Sequence, residues 1–493
     1  MRKRHRLGGP ITVGVPVALM LVALTATESQ SQTTAMTGRI DAGTFHACVV
    51  LSEGTVRCWG RNTYGQLGDS TSTNSTTPVS VSGISAATAI AGGGSAITGD
   101  AAHTCALLSG GTVRCWGLNN VGQLGNGTNT DASTPVQVSG ISTATAIATG
   151  GAHTCVVLSD GTARCWGLNN TYGQLGDETT TNRSTPVQVK GIGGATAITA
   201  GSHHTCALLS RGEVWCWGRQ DSGQLGNGVF RNQRAPFDAQ LKPVQVVGIN
   251  TATAIVAGDV HTCALLSDGT VWCWGSNFAG GLGDGTTTSF ATPVQVSGIT
   301  TAKAIAAGTY HTCAMLSDSS MRCWGGNYFG ALGNGTTGNG TDAANTTTPV
   351  SVSGISTGTA PTAGGLYTCA TLSDGTARCW GSNFYGQLGN GTNTDASTPV
   401  QVSGISTATV QVPVTSGTIL SITKRGEGTV TSSPAGINCG PDCSEPYASG
   451  TVVTLTPTPA AGWRFDRWRG DADCTDGVVT MNANKTCTAE FKN

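Results

Sequence analysis

The feature that most constrains this chain is a pair of cysteines ten positions apart that recurs seven times. The pairs are Cys48 and Cys58, Cys105 and Cys115, Cys155 and Cys165, Cys206 and Cys216, Cys263 and Cys273, Cys313 and Cys323, and Cys369 and Cys379. First cysteines of successive pairs lie 50 to 57 residues apart, and a fixed period of that size means a propeller or a solenoid. One copy reads PVQVVGI, TATAIVAG, DVHTCALLSDGTVWCWG, SNFAGGLGDGTTTSFATP. It holds four short β-rich runs separated by Gly, Asn, Ser and Thr, and four strands per unit is the build of a propeller blade. Residues 37–412 are therefore expected to form a seven-bladed β-propeller, and the fold class to be all-β.

Hairpin geometry accounts for the ten-residue spacing. Ser267, Asp268 and Gly269 suit a type I turn followed by a left-handed glycine, a G1 bulge. Leu266 then opposes Thr270, and counting back sets Cys263 opposite Cys273 at a site without ladder hydrogen bonds. There the Cα atoms come within disulfide reach. Each such bridge closes a short loop and is expected to contribute about 2 to 3 kcal/mol. Metal ligation is the rival reading, but two thiols per blade on separate blades cannot converge on one tetrahedral ion. No metal and no cofactor is expected.

All eighteen cysteines, an even number, point to an oxidising destination. The remaining four, Cys439, Cys443, Cys474 and Cys487, lack zinc-knuckle spacing and read as two more disulfides of open connectivity. Residues 1–34 agree with export: MRKRHR is a positive n-region, Ile11 to Ala26 is apolar and uncharged, and a polar leader follows. Cleavage is the expectation and an uncleaved anchor the alternative; no other segment could span a membrane. Only 11% of residues are charged and the net charge is -1, so the basic footprint of nucleic-acid binding is missing.

The ends of the repeat predict how the ring closes. The first unit starts near Met36 without the PVQV run, and a spare PVQVSGI follows the last unit at residues 399–405. That strand is expected to complete the first blade.

Several residues recur in every unit. Trp59, Trp116, Trp166, Trp217, Trp274, Trp324 and Trp380 follow the second cysteine and are read as packing between blades. Arg57, Arg114, Arg164, Arg322 and Arg378 precede it, replaced by Trp215 and Trp272 in two units; stacking on an aromatic between blades is expected. His46, His103, His153, His204, His261 and His311 stand two before the first cysteine, with Tyr367 in the seventh copy. That replacement speaks against proton transfer and for a strand-entry hydrogen bond. Asp160, Asp268 and Asp374 are turn formers. No nucleophile elbow, P-loop or HExxH occurs, so no enzyme is expected.

The loop after Cys-Trp-Gly keeps a glycine frame while its other residues vary. Tyr64, Tyr172, Phe278, Tyr328, Phe329, Phe384 and Tyr385 sit there, at what should be one end of the ring. They are candidate binding anchors, unless each tucks against its own blade. Unit four carries an insertion, Val229 to Lys242, with Phe230, Arg231, Arg234 and Phe237 as further candidates. Unit six is longer around Thr337 to Asn345, and Gly92 to Ala101 lengthens the first junction.

The unit GxxHTCALLSDGTVWCWGxNxxGQLGNGT resembles the regulator of chromosome condensation repeat, whose members form seven-bladed propellers. The resemblance covers about three quarters of the chain and implies fold more strongly than function. Residues 413–419 read as a linker. Residues 420–493 form a small disulfide-bonded β domain that resembles the bacterial repeat related to the internalin B-repeat, with Trp463, Phe465 and Trp468 as its expected core. Two functions stand against each other. One is a secreted or cell-surface binding or scaffold protein, monomeric, whose propeller face holds an unidentified protein or glycan. The other is an exchange factor for a small GTPase, which the resemblance to the family's eukaryotic founder implies.

Overall fold

The computed structural model describes residues 40–94, 102–230, 239–338, 344–405, 418–433, 437–439, 443–447 and 451–493. The amino-terminal leader, the stretch 406–417 and the inserted Arg231, Arg234 and Phe237 lie outside them. The chain divides into two compact units, Met1–Gln411 and Val412–Asn493. No helix among the described residues is long and apolar enough to cross a membrane.

In the first unit, seven four-stranded antiparallel sheets follow one another along the chain. Blade 1 consists of an inner strand Ile40–Ala42, a second strand His46–Val50, a third strand Val56–Gly60 and an outer strand Ser75–Ser80. Blade 7 runs from the inner strand Gly358–Ala363 to the outer strand Ala396–Gln401. Inner strands of successive blades touch, and those of blades 7 and 1 close the ring.

Closure differs from the sequence expectation. Ala396–Gln401 pairs with Ala377–Gly381 of its own blade, and blade 1 takes its outer strand from Ser75–Ser80. The PVQV run is the fourth strand of its unit, and in blade 1 the run TTPVS serves instead of PVQV. The seam between blades 7 and 1 is therefore made by side chains. Ile40, Ala42, Val49 and Trp59 pack with Tyr367, Cys369, Leu388 and Val402, as in every other seam.

All seven predicted bridges are present in the predicted register. Cys263 stands opposite Cys273, Leu266 N–H donates to the Thr270 carbonyl, and Gly269 is left-handed. The seven Cα separations are 4.0 to 4.1 Å. The sulfurs belong to the core: Cys48 and Cys58 join Leu67, Val81 and Ile84 of blade 1 against Ala106 and Trp116 of blade 2. So the hydrophobic core lies between blades, and each staple stiffens the wall that the next blade packs on.

Two hydrogen-bond systems repeat at the seams. Each Cys-Trp-Gly indole is buried and donates from Nε1 to a carbonyl of the preceding blade, Trp116 to Gln66 and Trp59 to Gln387, both at 2.9 Å. The glycine that ends the GQLG run lies flat on that ring: a Cβ on Gly68 would stand 2.7 Å from Trp116 Nε1. Each repeating histidine bonds forward, His46 Nε2 to Thr104 Oγ1 and His103 Nε2 to Thr154 Oγ1, both at 2.8 Å. Those hydroxyls spend their own protons on the Gln66 and Gln123 carbonyls, so the histidine Nε2–H is the donor. The pattern continues through His153, His204, His261 and His311. At the last seam blade 1 offers Ala47 in place of the threonine, and the longer Tyr367 reaches past it to donate to the His46 carbonyl. Burial pushes five of these imidazoles down to about 3 and His261 to about 4.

The arginines before the second cysteine do not stack on rings. They are half-buried on the third strand and face polar outer-strand residues, Arg114 opposite Gln137 and Arg378 opposite Gln401. Arg61 and Arg219 make the cation–ring contacts found among the described residues.

The second unit holds two four-stranded sheets. One has the order Ser444–Tyr447, Thr418–Arg425, Lys485–Lys492, Arg464–Gly470; the other has Asn438–Cys439, Gly428–Ser433, Thr451–Pro459, Val478–Met481. Leu420, Ile422, Val430, Val453, Trp468 and Phe491 form the core, with Trp463 and Phe465 only partly buried against it. Its disulfides are Cys439–Cys443 and Cys474–Cys487.

Candidate functional site

The loop from third to outer strand is held by one asparagine. In blade 1, Asn62 Oδ1 accepts the Leu67 N–H, Asn62 Nδ2 donates to Asp69 Oδ1, and the Asn62 N–H donates to Asn74 Oδ1. Asn119, Asn169, Asn277, Asn327 and Asn383 repeat this clamp. Blade 4 has Gln220 there, and its loop carries the insertion. A clamped loop leaves its tip residues free to vary, and the tips lie beside the entry to the second strand: Arg61 N–H donates to the Phe45 carbonyl.

These tips and entries form an apolar arc at one end of the ring. Phe278 meets Tyr310 edge-on at 6.4 Å, and Tyr310 meets Tyr328 at 5.7 Å. Tyr328 and Leu366 pack with Phe45, Tyr310 and Phe329, joining blades 6, 7 and 1. Phe45 then meets Tyr385 at 5.3 Å, and Tyr385 meets Phe384 at 5.0 Å. The Arg61 guanidinium lies 5.1 Å from the Tyr385 ring, 5.8 Å from Phe45 and 5.9 Å from Tyr64, contacts worth roughly 0.5 to 2 kcal/mol each by degree of desolvation. Beyond it Tyr64 and Val121 pack on Leu118, Ala152 and Leu168 of blades 2 and 3.

Polar groups end the arc at blade 4. Tyr172 meets His203 at 4.9 Å and lies under Arg219, whose guanidinium is 2.7 Å from the Asp221 carboxylate. Burial, then the nearby Arg219, pushes His203 down to about 3. Burial, then Asp259, pushes Tyr310 up to about 12, so it stays a hydrogen-bond donor.

The sequence candidates divide by exposure. Phe278 and Phe384 are 64% and 63% exposed and stand up from the arc. Tyr64, Tyr172, Phe329 and Tyr385 are half-buried in it, Phe329 with a backbone φ of 56°, a region a bulky residue rarely occupies. Tyr328 is a correction: it is buried and forms floor, because Tyr310 and Leu366 cover it. Phe230 is 53% exposed beside Gly223, away from the ring contacts of the arc. Sequence reading missed Phe45, Tyr310 and Leu366 at strand entries, and Arg61, Leu118, Leu168 and Arg219 just after Cys-Trp-Gly. The available signal was variation inside a fixed frame, which singled out only the longer loop.

A cavity of about 590 Å³ lies among the inner strands of blades 1 to 4, lined by Asp41, Ile90, Thr145, Ile147 and Thr196. Its polar groups are engaged by the fold: Thr145 and Thr196 donate to the Val157 and Leu208 carbonyls, and Asp41 accepts the Gly92 N–H. Among the described residues, no group of three or more His, Cys, Asp or Glu could hold a metal ion. The six repeating histidines are neutral at physiological pH and closed off behind their threonines. Among the described residues of the propeller, Phe278 and Phe384 on the arc are the most exposed large apolar side chains.

Residues 95–423 match the model of the RCC1-like domain, residues 39–66 and 53–98 match the regulator of chromosome condensation (RCC1) repeat, and residues 418–493 match the divergent InlB B-repeat domain. The ultraviolet-B receptor UVR8 of Arabidopsis thaliana is 31% identical over 196 residues, 39% of this chain and 43% of that protein. The E3 ubiquitin-protein ligase HERC2 of Mus musculus is 28% identical over 259 residues, 51% of this chain and 5% of that one. The chain thus spans less than half the length of these curated relatives. Among solved structures, Prp20p of Saccharomyces cerevisiae has a TM-score of 0.60 at 20% identity, covering 79% of this chain and 90% of that one. Human WBSCR16 has a TM-score of 0.55 at 19% identity, covering 70% and 92%. At such identities the likeness is one of fold.

Proposed function

The chain belongs to the RCC1-like domain family, whose model covers residues 95–423 of 493, and from that premise we propose that it is a secreted or cell-surface binding protein that holds a protein or glycan partner on the aromatic arc. The observation that carries this reading is the run of packed rings from Phe278 to Phe384, joined to Tyr64 through Arg61, with Phe278 and Phe384 exposed on a clamped scaffold. Exposed aromatics on rigid loops give large contact area at small entropic cost. Nine disulfides and a second unit of InlB B-repeat type support an extracellular address. The alternative, an intracellular exchange factor acting on a small GTPase, requires reduced thiols at all seven staples.

The test is chemical crosslinking of the exported protein in its producing culture, comparing the native chain with a Phe278→Ser, Phe384→Ser variant. Both residues are exposed, so stability should change by less than about 1 kcal/mol, while the native chain's principal adduct disappears. An adduct that persists in the variant at full yield removes the arc as the binding face.

A further inference from the structure

The InlB B-repeat-type unit carries a second surface, independent of the arc. Along Thr418–Arg425 and Lys485–Lys492 the side chains alternate: Leu420, Ile422, Cys487, Ala489 and Phe491 turn into the core, and Thr423, Arg425, Thr486 and Lys492 turn outward. On that outward face three guanidiniums gather around one carboxylate. Arg469 Nε lies 3.0 Å and Arg467 Nε 3.3 Å from Glu490, and Arg425 Nη1 lies 3.7 Å from it. Lys492 and Arg467 share Asp466, each at 2.9 Å. Four cations meet two anions, a local charge of +2 in a chain whose net charge is -1.

The cations stay open to solvent: Arg425 is 77%, Arg467 51%, Arg469 56% and Lys492 50% exposed, while Glu490 is only 12%. Arg425 and Arg467 flank the strand of Glu490 on either side, so they stand two strands, about 10 Å, apart. Beside them runs a ladder of hydroxyls, with Thr423 against Thr488 at 2.6 Å and Ser421 against Ser444 at 3.1 Å. The aromatic residues Phe465, Trp468 and Phe491 pack with one another on the core side.

We propose that this face binds an acidic polysaccharide through its carboxylate or sulfate groups. Separated guanidiniums match anions spaced along a chain, and the hydroxyl ladder suits sugar hydroxyls. With its aromatics turned inward, the face offers no platform for stacking bases.

The full-length exported protein is passed at low salt over immobilised heparin and polygalacturonate, with duplex DNA and anionic phospholipid vesicles as competitors. Retention that salt reverses and that the triple variant Arg425→Gln, Arg467→Gln, Arg469→Gln weakens roughly tenfold or more supports the proposal. The charge-conserving triple Arg→Lys variant should keep most of the retention. If the Gln variant fails to form the Cys474–Cys487 bridge, the folded Lys variant decides the matter: retention kept supports the proposal, and retention lost overturns it. Flow-through of the native protein on both polysaccharides, full retention of a folded Gln variant, or displacement by DNA or vesicles at lower concentration than by free polysaccharide overturns it. The Phe278→Ser, Phe384→Ser variant should bind the columns unchanged, which separates this face from the arc.

Discussion

Acid should unfold the propeller through its seam histidines, and the size of the effect follows from the structure. His46, His103, His153, His204 and His311 are buried and held down to about 3, and His261 to about 4. In the unfolded chain each titrates near its ordinary value of about 6.5. Between those values the unfolded chain binds protons that the folded chain refuses, so folding stability falls as pH drops below about 6.5. At pH 5 each group costs about 2 kcal/mol, and because neighbouring histidines titrate together the six seam groups jointly cost a large share of the roughly 5 to 15 kcal/mol stability of an ordinary domain. Denaturant melts followed by tryptophan fluorescence from pH 7.5 to 5 should show the midpoint collapsing over this range, because the seven seam indoles report blade separation. The pair Tyr367 and Ala47 supplies the control. A His311→Tyr, Thr368→Ala variant copies that seam, should melt at neutral pH within about 1 kcal/mol of the native chain, and should lose about 2 kcal/mol less at pH 5. A midpoint that stays level from pH 7 to 5, or a variant that loses as much as the native chain, would refute neutral, sealed histidines.

Three shorter expectations share the same seams. Replacing Cys263 and Cys273 by serine should lower stability by about 2 to 3 kcal/mol in denaturant melts, and no change would mean the bridge does not form. Tyr367→Phe removes the donor to the His46 carbonyl and should cost about 1 kcal/mol, with faster proteolysis at the junction of blades 7 and 1. Gly68→Ala sets a methyl 2.7 Å from the Trp116 ring nitrogen at a φ of 71°. It should destabilise by about 1 to 3 kcal/mol, measured as a lower thermal midpoint, whereas Gly83→Ala, with open space around it, should pay only the conformational strain.

Much of the propeller could be read from spacing. Ten residues between cysteines imply a hairpin register, and that register held at Cys263 and Cys273 as at all seven sites. Ring closure was misread because a period has no natural phase: PVQV can open one unit or end the previous one, and only its pairing with Ala377–Gly381 decides. The forward bonds of the histidines were equally hidden, since His103 and Thr154 are 51 residues apart. For the arc, composition of the loops singled out Phe278 and Phe384, both of which stand exposed, but exposure depends on neighbours from other blades. Tyr328 and Phe329 are adjacent in sequence, yet Leu366 and Tyr310 bury the first and leave the second half open.

The claim that the arc is the binding face is tested most directly by a photocrosslinking residue placed either at Phe384, on the arc, or at Asp160, in a hairpin turn at the other end of blade 3, in the chain produced by its own cells. A defined adduct from Phe384, with none from Asp160, is the predicted result. An adduct from Asp160 alone, or equal adducts from both, would contradict the account.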